Sequence, residues 1–414
     1  MLCPADTRLP SRGEAGSVAW PAMAIAGVPA QRPHLRLGSC VVTAGMVAGL
    51  VVTVPTTMAA AATASPVPSA GCAGIPVPSV LPTPAAVAAP VGSGAVQVPR
   101  DEPPHGSPVE WWYFNGHLRG TAPSGQVRCY GFEYVTFQIL GLTPLPAYAD
   151  DFAVTDLSRR NFHYGVRTAL GLVPATKGSF SLQTDGWSMS GGRGRDTLHA
   201  GLPGYTLDLH LQATEPAVLE GTDGAVSLGS IGISKYYSWT SLLTTGTMVD
   251  HGVSLKVSGL SWMDHEWGPL DLTAGGGWDW FSVQLSNGQQ YMLYFIRDRK
   301  DKIVSSFGTH ISSTGKSARL SPLSEIVTGS WHSPVTGITY GSGWHLIIPG
   351  GHLDITPDLK DQELDLRSTQ GNAYWEGDVT VQGRADGAPV SGVGYTELNP
   401  PGAEKPPAAQ LPGL

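Results

Sequence analysis

Three ionisable side chains stand consecutively between two tryptophans in Trp262-Met263-Asp264-His265-Glu266-Trp267-Gly268-Pro269, and a fourth keeps similar aromatic company upstream, in Glu110-Trp111-Trp112-Tyr113. Acids and a histidine beside aromatic surface are the parts that acid–base chemistry on an apolar molecule requires. Burial raises the pKa of a carboxyl group until it holds a proton to donate, and an imidazole can hold or deprotonate a water. In an extended strand, alternation puts Trp262, Asp264 and Glu266 on one face and Met263, His265 and Trp267 on the other. Two such clusters in one chain suggest one shared site. Asp264, His265, Glu266 and Glu110 are its candidates for chemistry; Trp111, Trp112, Tyr113, Trp262, Trp267, Trp280 and Tyr294 are its candidates for ligand-binding walls. Tryptophan faces would also stabilise a developing carbocation through the ring quadrupole. Plainer roles stay open: core aromatics, a solvated strand end, or Glu110 bonded to a neighbouring backbone or to an arginine such as Arg297.

Other chemistries find less support. His105 and His117 are near enough in sequence to join Asp264, His265 and Glu266 around a metal, but neither His-Glu-x-x-His nor a paired Cys-x-x-Cys occurs. The expectation is no metal and no cofactor. No Gly-x-Ser-x-Gly elbow supports a serine hydrolase, and Gly275-Gly276-Gly277 reads as a turn, not a phosphate loop.

The elements that would position these residues are strands. Of 414 residues, 41% are hydrophobic and only 14% charged, and the 53 glycines and 34 prolines indicate many turns. From Glu110 onward, short runs of Val, Thr, Tyr, Phe and Trp are broken by Gly, Asn-Gly, Asp-Gly or Pro, as in residues 126–140, 178–189, 205–213, 253–262 and 278–285. No amphipathic helix of 12 or more residues stands out, so the expected class is all-β, sandwich or barrel. Asn287-Gly288 predicts a hairpin with a type I′ turn. An internal echo suggests a duplicated unit: Glu110-Trp111-Trp112-Tyr113-Phe114 resembles Trp278-Asp279-Trp280-Phe281, and 257–264 resembles 381–383 followed by 392–397.

The ends read differently. Arg32 and Arg36 precede an apolar run over 37–54, followed by Ala-x-Ala sites within 58–64, which is a secretory signal pattern. The expectation is a leader over 1–64, with an uncleaved membrane anchor and a start at Met23 as alternatives, and a secreted or cell-envelope product. Residues 65–98 read as a disordered Pro/Ala-rich linker and 399–414 as a Pro-rich disordered tail. Loss of Cys3 and Cys40 with the leader would leave Cys72 and Cys129, which could pair. A net charge of −8 with no Lys/Arg-rich run argues against nucleic acid as partner. Proximity to a membrane surface stays open.

The segment from His105 to Leu118, His-Gly-Ser-Pro-Val-Glu-Trp-Trp-Tyr-Phe-Asn-Gly-His-Leu, together with Ser261-Trp262-Met263-Asp264-His265-Glu266-Trp267-Gly268, resembles the AttH and carotenoid 1,2-hydratase family. The resemblance covers roughly 100–398. It implies two tandem lipocalin-like antiparallel β-barrels, placed here at 99–269 and 270–398. The family is functionally mixed, with hydratases acting on carotenoid or isoprenoid double bonds and relatives that guide cyclisation. The hydratase branch's His and Trp carry over onto His265 and Trp267; its Tyr and Asp on a following strand find no clean match in 291–298. The combined expectation is an exported pair of barrels enclosing an apolar pocket at their junction, lined by Glu110 and Asp264-His265-Glu266. The pocket would take an extended isoprenoid, polyene or lipid, with acid-catalysed hydration or dehydration of a C=C bond. A hydrophobic-ligand carrier and a pericyclase-like template are the alternatives.

Overall fold

Alternation of apolar and polar residues decides which way each strand faces. In Tyr205–Ala213, Tyr205, Leu207, Leu209, Leu211 and Ala213 are buried, while Asp208, His210 and Gln212 are exposed. That pattern belongs to a strand with one face on a core and one in water. Val109–Thr121 breaks it: Glu110, Trp112 and Phe114 are buried on one face, and Tyr113, Asn115 and His117 on the other. A strand buried on both faces must have something packed on each.

The computed structural model describes residues 83–94, 96–141, 144–171, 178–272 and 274–403. The leader expected over 1–64 lies outside the described residues. The first sheet comprises β1 (Val109–Thr121), β2 (Val127–Ile139), β3 (Ala147–Asp156), β4 (Asn161–Leu170), β5 (Phe180–Thr184), β6 (Trp187–Gly192), β7 (Arg195–Leu202), β8 (Tyr205–Ala213), β9 (Val218–Leu219), β10 (Ala225–Ser227), β11 (Ile233–Asp250) and β12 (Val253–Gly268). Its order is β4-β3-β2-β1-β12-β11-β8-β7-β6-β5, with β9 and β10 added to β11. The sheet curls until β4 lies over β6 and β7. Arg167 sits 4.8 Å from the centroid of the Trp187 ring. At Gly165, a Cβ would come 2.7 Å from Leu202 Cδ2, so a larger residue there would require the Leu202 side chain to shift.

The second sheet comprises β13 (Gly277–Leu285), β14 (Gln290–Arg297), β15 (Ile303–Ile311), β16 (Ser317–Leu320) and β17 (Ser324–Val327), then, after a separate hairpin of β18 (Ser330–His332) and β19 (Thr339–Gly341), β20 (Trp344–Ile348), β21 (Gly351–Pro357), β22 (Glu363–Asp365), β23 (Ala373–Ala385) and β24 (Ala388–Asn399). Its order is β16-β15-β14-β13-β24-β23-β21-β20-β17, with β22 on β23. Both sheets follow one plan: the first strand (β1, β13) lies between the second (β2, β14) and the last (β12, β24). The duplication suggested by the aromatic echo is therefore present in the topology.

Each barrel has its own core, and a third apolar cluster joins them. Tyr113, Val135, Tyr236 and Trp262 from the first sheet pack against Trp280, Met292, Tyr294 and Tyr395 from the second. This layer is what buries the second face of β1.

Two local expectations are corrected. Residues 83–98, read as part of a structureless linker, hold a helical turn (Pro84–Val87) and a bridge between Val91 and Val98. Val87, Val96 and Val98 are buried in the first core, each contributing on the order of 1.5–3 kcal/mol of apolar burial. Composition flagged the prolines and alanines; the valines decide the outcome. At Asn287-Gly288 only Gly288 has positive φ (+83°), and the Gly288 N–H donates to the Leu285 carbonyl at 3.0 Å. The loop is thus a type I turn closed by a left-handed glycine, not a type I′ turn. Cys129 is disulfide-bonded, and its partner lies outside the described residues.

Candidate functional site

β12 lies between β1 and β11, and register sets its neighbours: His265 is opposite Trp112 on one side and Tyr237 on the other, while Asp264 is opposite Tyr113 and Ser238. The predicted alternation holds. His265 and Trp267 point into the first barrel with Glu110 and Trp112, and Asp264 and Glu266 point to the junction with Trp262, Tyr113, Trp280 and Tyr294. Trp111 is half-buried against the junction cluster. The expectation of one shared site is therefore corrected, because the sheet itself divides the candidates into two groups.

Inside the first barrel, Glu110 is fully buried and bridges two imidazoles. Its Oε1 lies 2.7 Å from His265 Nε2 and 2.8 Å from His105 Nδ1; its Oε2 accepts from the His105 backbone N–H at 2.7 Å and from Gln138 at 3.2 Å. Tyr148 holds Gln138 in turn. Burial opposes ionisation of Glu110, but the bonds from His105 and His265 outweigh it and hold the carboxyl below its usual value. Burial also pushes His265 below its usual value, with Glu110 opposing. A carboxylate can only accept, so His265 Nε2 carries its proton and Nδ1 is left as the base. Nδ1 faces the Tyr237 hydroxyl at 3.3 Å. The ring is stacked on Trp112, centroids 4.5 Å apart, and tilted against Trp267 at 4.8 Å; Trp267 stacks on His105 at 4.1 Å. One ligand atom from each of His105, Glu110 and His265 lies within 4.8 Å of the others, close enough for a shared metal ion. Their 2.7–2.8 Å separations are hydrogen-bond lengths, which fits a proton-sharing array.

A second acid completes this interior, and sequence reasoning missed it. Glu102 is 1% exposed; its Oε1 accepts from the Arg193 N–H at 2.7 Å, and its Oε2 has no hydrogen-bond partner among the described residues. Burial pushes its carboxyl up to about 7, only partly offset by Arg193. Trp112 links the two groups, donating to the Glu102 carbonyl at 3.3 Å while stacking on His265. Asp196, also buried, is pushed well above its usual value by burial and by the charge of Glu102. A surface cavity of about 440 Å³ is lined by residues 178–181, 190–193 and 195, among them Arg193, whose backbone N–H bonds Glu102. The signal available in sequence was slight. Glu102 is followed by Pro103-Pro104, and Asp196 has no aromatic neighbour, so neither acid stands in the aromatic company that drew attention to Glu110 and Glu266.

At the junction, acids and aromatics are buried together. Asp264 accepts from Trp262 Nε1 (2.7 Å) and Ser238 (2.6 Å) on Oδ1 and from the Tyr236 hydroxyl (2.8 Å) on Oδ2. Burial pushes it up to about 7. Glu266 is pushed well above its usual value by burial; Glu397, bonded to Trp278, goes to about 7; Glu376 is bonded to Tyr113 at 2.6 Å. Arg297 pairs with Asp279 and Glu325, not with Glu110. With both oxygens hydrogen-bonded, Asp264 has the contacts of a structural acid; Glu102 has one unpartnered oxygen among the described residues, as do Glu266 and Glu376 at the junction.

Paired lipocalin-like barrels, the first holding a buried acid and a histidine–carboxylate dyad between tryptophans, define a tandem lipocalin-like fold. The chain belongs to the AttH-like family, whose model matches residues 89–400. It is similar to kievitone hydratase from Fusarium solani subsp. phaseoli, 25% identical over 204 residues, 47% of this chain. The match covers 56% of that relative, so the chain spans little more than half its length. Among solved structures, a putative AttH from Nitrosomonas europaea superposes with a TM-score of 0.67 at 28% identity, covering 77% of this chain and all of that one. Kievitone hydratase from Nectria haematococca superposes with a TM-score of 0.61 at 19% identity, covering 75% and 95%, a likeness of fold alone.

Proposed function

We propose that this protein adds water to, or eliminates it from, a C=C bond of an extended apolar molecule held in the first barrel. The observation that carries this reading is the pair of buried groups with opposed tendencies. Glu102 keeps its proton to about pH 7, while His265, oriented by the Glu110 carboxylate, stays neutral with Nδ1 free to accept one. Separated acid and base pKa values on one apolar site are the requirement of hydration chemistry.

In the forward direction the alkene takes the Glu102 proton, forming a C–H bond and a cation at the neighbouring carbon. The Trp112 and Trp267 rings stabilise that cation. Water adds to it, and the water's proton passes to His265 Nδ1, directly or through the Tyr237 hydroxyl. Return of that proton to Glu102 closes the cycle, and alkene plus water has become an alcohol. Kievitone hydratase, by its name a hydratase, supports the reaction class. The surface depression beside Arg193 is lined in part by Phe180, whose ring centroid is 6.2 Å from that of Trp112; entry of an apolar chain there would require Phe180 to move.

The test is incubation of the full chain with isoprenoid and prenylated substrates in ¹⁸O-water, followed by mass spectrometry. An alcohol carrying ¹⁸O, lost in Glu102→Gln and His265→Ala, is expected. Ligands recovered unchanged from the wild type and both variants would point to a carrier and defeat the reading.

A further inference from the structure

The duplication extends to a hairpin on the outside of each barrel. In the first, Leu198-His199-Ala200-Gly201-Leu202-Pro203-Gly204-Tyr205-Thr206-Leu207-Asp208-Leu209 joins β7 to β8; in the second, Trp344-His345-Leu346-Ile347-Ile348-Pro349-Gly350-Gly351-His352-Leu353-Asp354-Ile355 joins β20 to β21. Both keep the His, the Pro-Gly turn and the Leu-Asp. In both, the His and the Asp are directly opposite in the ladder, and the distance from His Nδ1 to Asp Oδ1 is 2.6 Å. One position separates them chemically. Where the first barrel has Thr206, the second has His352, on the same outward face as Asp354 and two residues before it.

That substitution adds a third donor. His352 Nε2 is 3.5 Å from Asp354 Oδ2, and the His345 and His352 rings are 4.9 Å apart at a tilt of 32°. One ligand atom from each of His345, His352 and Asp354 lies within 4.8 Å of the others, a convergence the first barrel's hairpin lacks. The three side chains are 35%, 34% and 53% exposed, so an ion can reach them and keep water in its remaining positions. The strands beneath are rigid, with Trp344, Leu346, Leu353 and Ile355 buried in the second core. Arg384, opposite His352 on β23, directs its guanidinium to the Gly387 carbonyl.

We propose that His345, His352 and Asp354 form a surface site for a divalent transition-metal ion on the second barrel, distinct from the interior of the first. Two imidazoles and one carboxylate suit Zn²⁺, Ni²⁺ or Cu²⁺ and disfavour Mg²⁺ and Ca²⁺, which take oxygen ligands. An ion held there bridges β20 to β21 across their outer face.

The first barrel supplies the control. Zn²⁺ and Ni²⁺, with Mg²⁺ for comparison, are titrated calorimetrically into the full chain, into His352→Thr, which copies the first hairpin, and into Thr206→His, which copies the second. Both changes are on exposed strand faces, and circular dichroism checks folding. Zn²⁺ is expected to bind the wild type, to bind His352→Thr roughly tenfold or more weakly, and to show one additional equivalent on Thr206→His; Mg²⁺ binds none of them. Unchanged affinity and stoichiometry in His352→Thr would overturn the proposal. Binding that survives there but is lost in Glu110→Gln would assign the metal to the interior histidines and overturn it equally.

Discussion

Glu102 and His265 are both buried, yet burial acts on them in opposite senses because it disfavours whichever form is charged. The acid is pushed up to about 7 and the base below its usual value, so each is held in its neutral form. The pH dependence follows. Activity should fall above about pH 7 as Glu102 loses its proton, and on the acid side only below the usual histidine range, where His265 becomes protonated. A profile of kcat/KM against pH checks this; a rate still rising through pH 9 would remove Glu102 as the donor. Asp264→Asn should leave both limbs in place, since Asp264 faces the junction. At this scale, sequence alone singled out His265, Glu110 and their flanking tryptophans as candidates, because consecutive ionisable and aromatic residues are conspicuous. It did not identify Glu102, Asp196 or Tyr237, whose importance comes from what covers them.

The element that supplies the acid is the segment before β1. Gln97 and Asp101 close a turn on each other, the Gln97 N–H donating to Asp101 Oδ2 at 2.7 Å, and Gln138 holds the His105 carbonyl at 3.0 Å. This turn carries Glu102 and His105 into the barrel, and Val96 and Val98 anchor it. Val96→Ala is accordingly expected to cost about 1.5–3 kcal/mol in urea denaturation. A linker without structure would show no change. Strand alternation was readable in β12 because each face has one chemical character. The anchoring of 83–98 was not, since three valines among prolines and alanines form no periodic pattern.

The whole molecule joins its barrels through acids that are neutral when folded. Asp264, Glu397 and Asp378 are pushed up to about 7 and Glu220 to about 8, in each case chiefly by burial. Unfolding lets them ionise at their ordinary values, so their stabilising contribution is complete below about pH 4 and declines as pH rises to about 8. Two groups act the other way. His117, lowered to about 4 by burial, loses stabilisation as pH falls from its ordinary value, and Asp250, held ionised by Arg159 and Arg128, loses it in acid. The acids outnumber these, so Tm should rise as pH is lowered from 8 to 5. A Tm that falls over that interval would show the junction acids to be ionised in the fold. The sequence displayed 33 acidic residues without revealing which are buried, because alternation gives the face a residue occupies but not what lies against it. Glu133 in Gly131-Phe132-Glu133-Tyr134-Val135 and Glu376 in Tyr374-Trp375-Glu376-Gly377 were the readable signs: acids inside apolar runs.

The side of β12 on which the chemistry takes place decides between the two groups of acids. The decisive measurement is the initial rate of ¹⁸O-alcohol formation at pH 6 by Glu102→Gln and Asp264→Asn, side by side on the substrate the labelling screen yields, with folding of each verified. A loss of about 10²–10⁴-fold for Glu102→Gln, with Asp264→Asn near wild type, is the predicted result. The reverse pattern would contradict the account and return the reaction to the junction of the barrels.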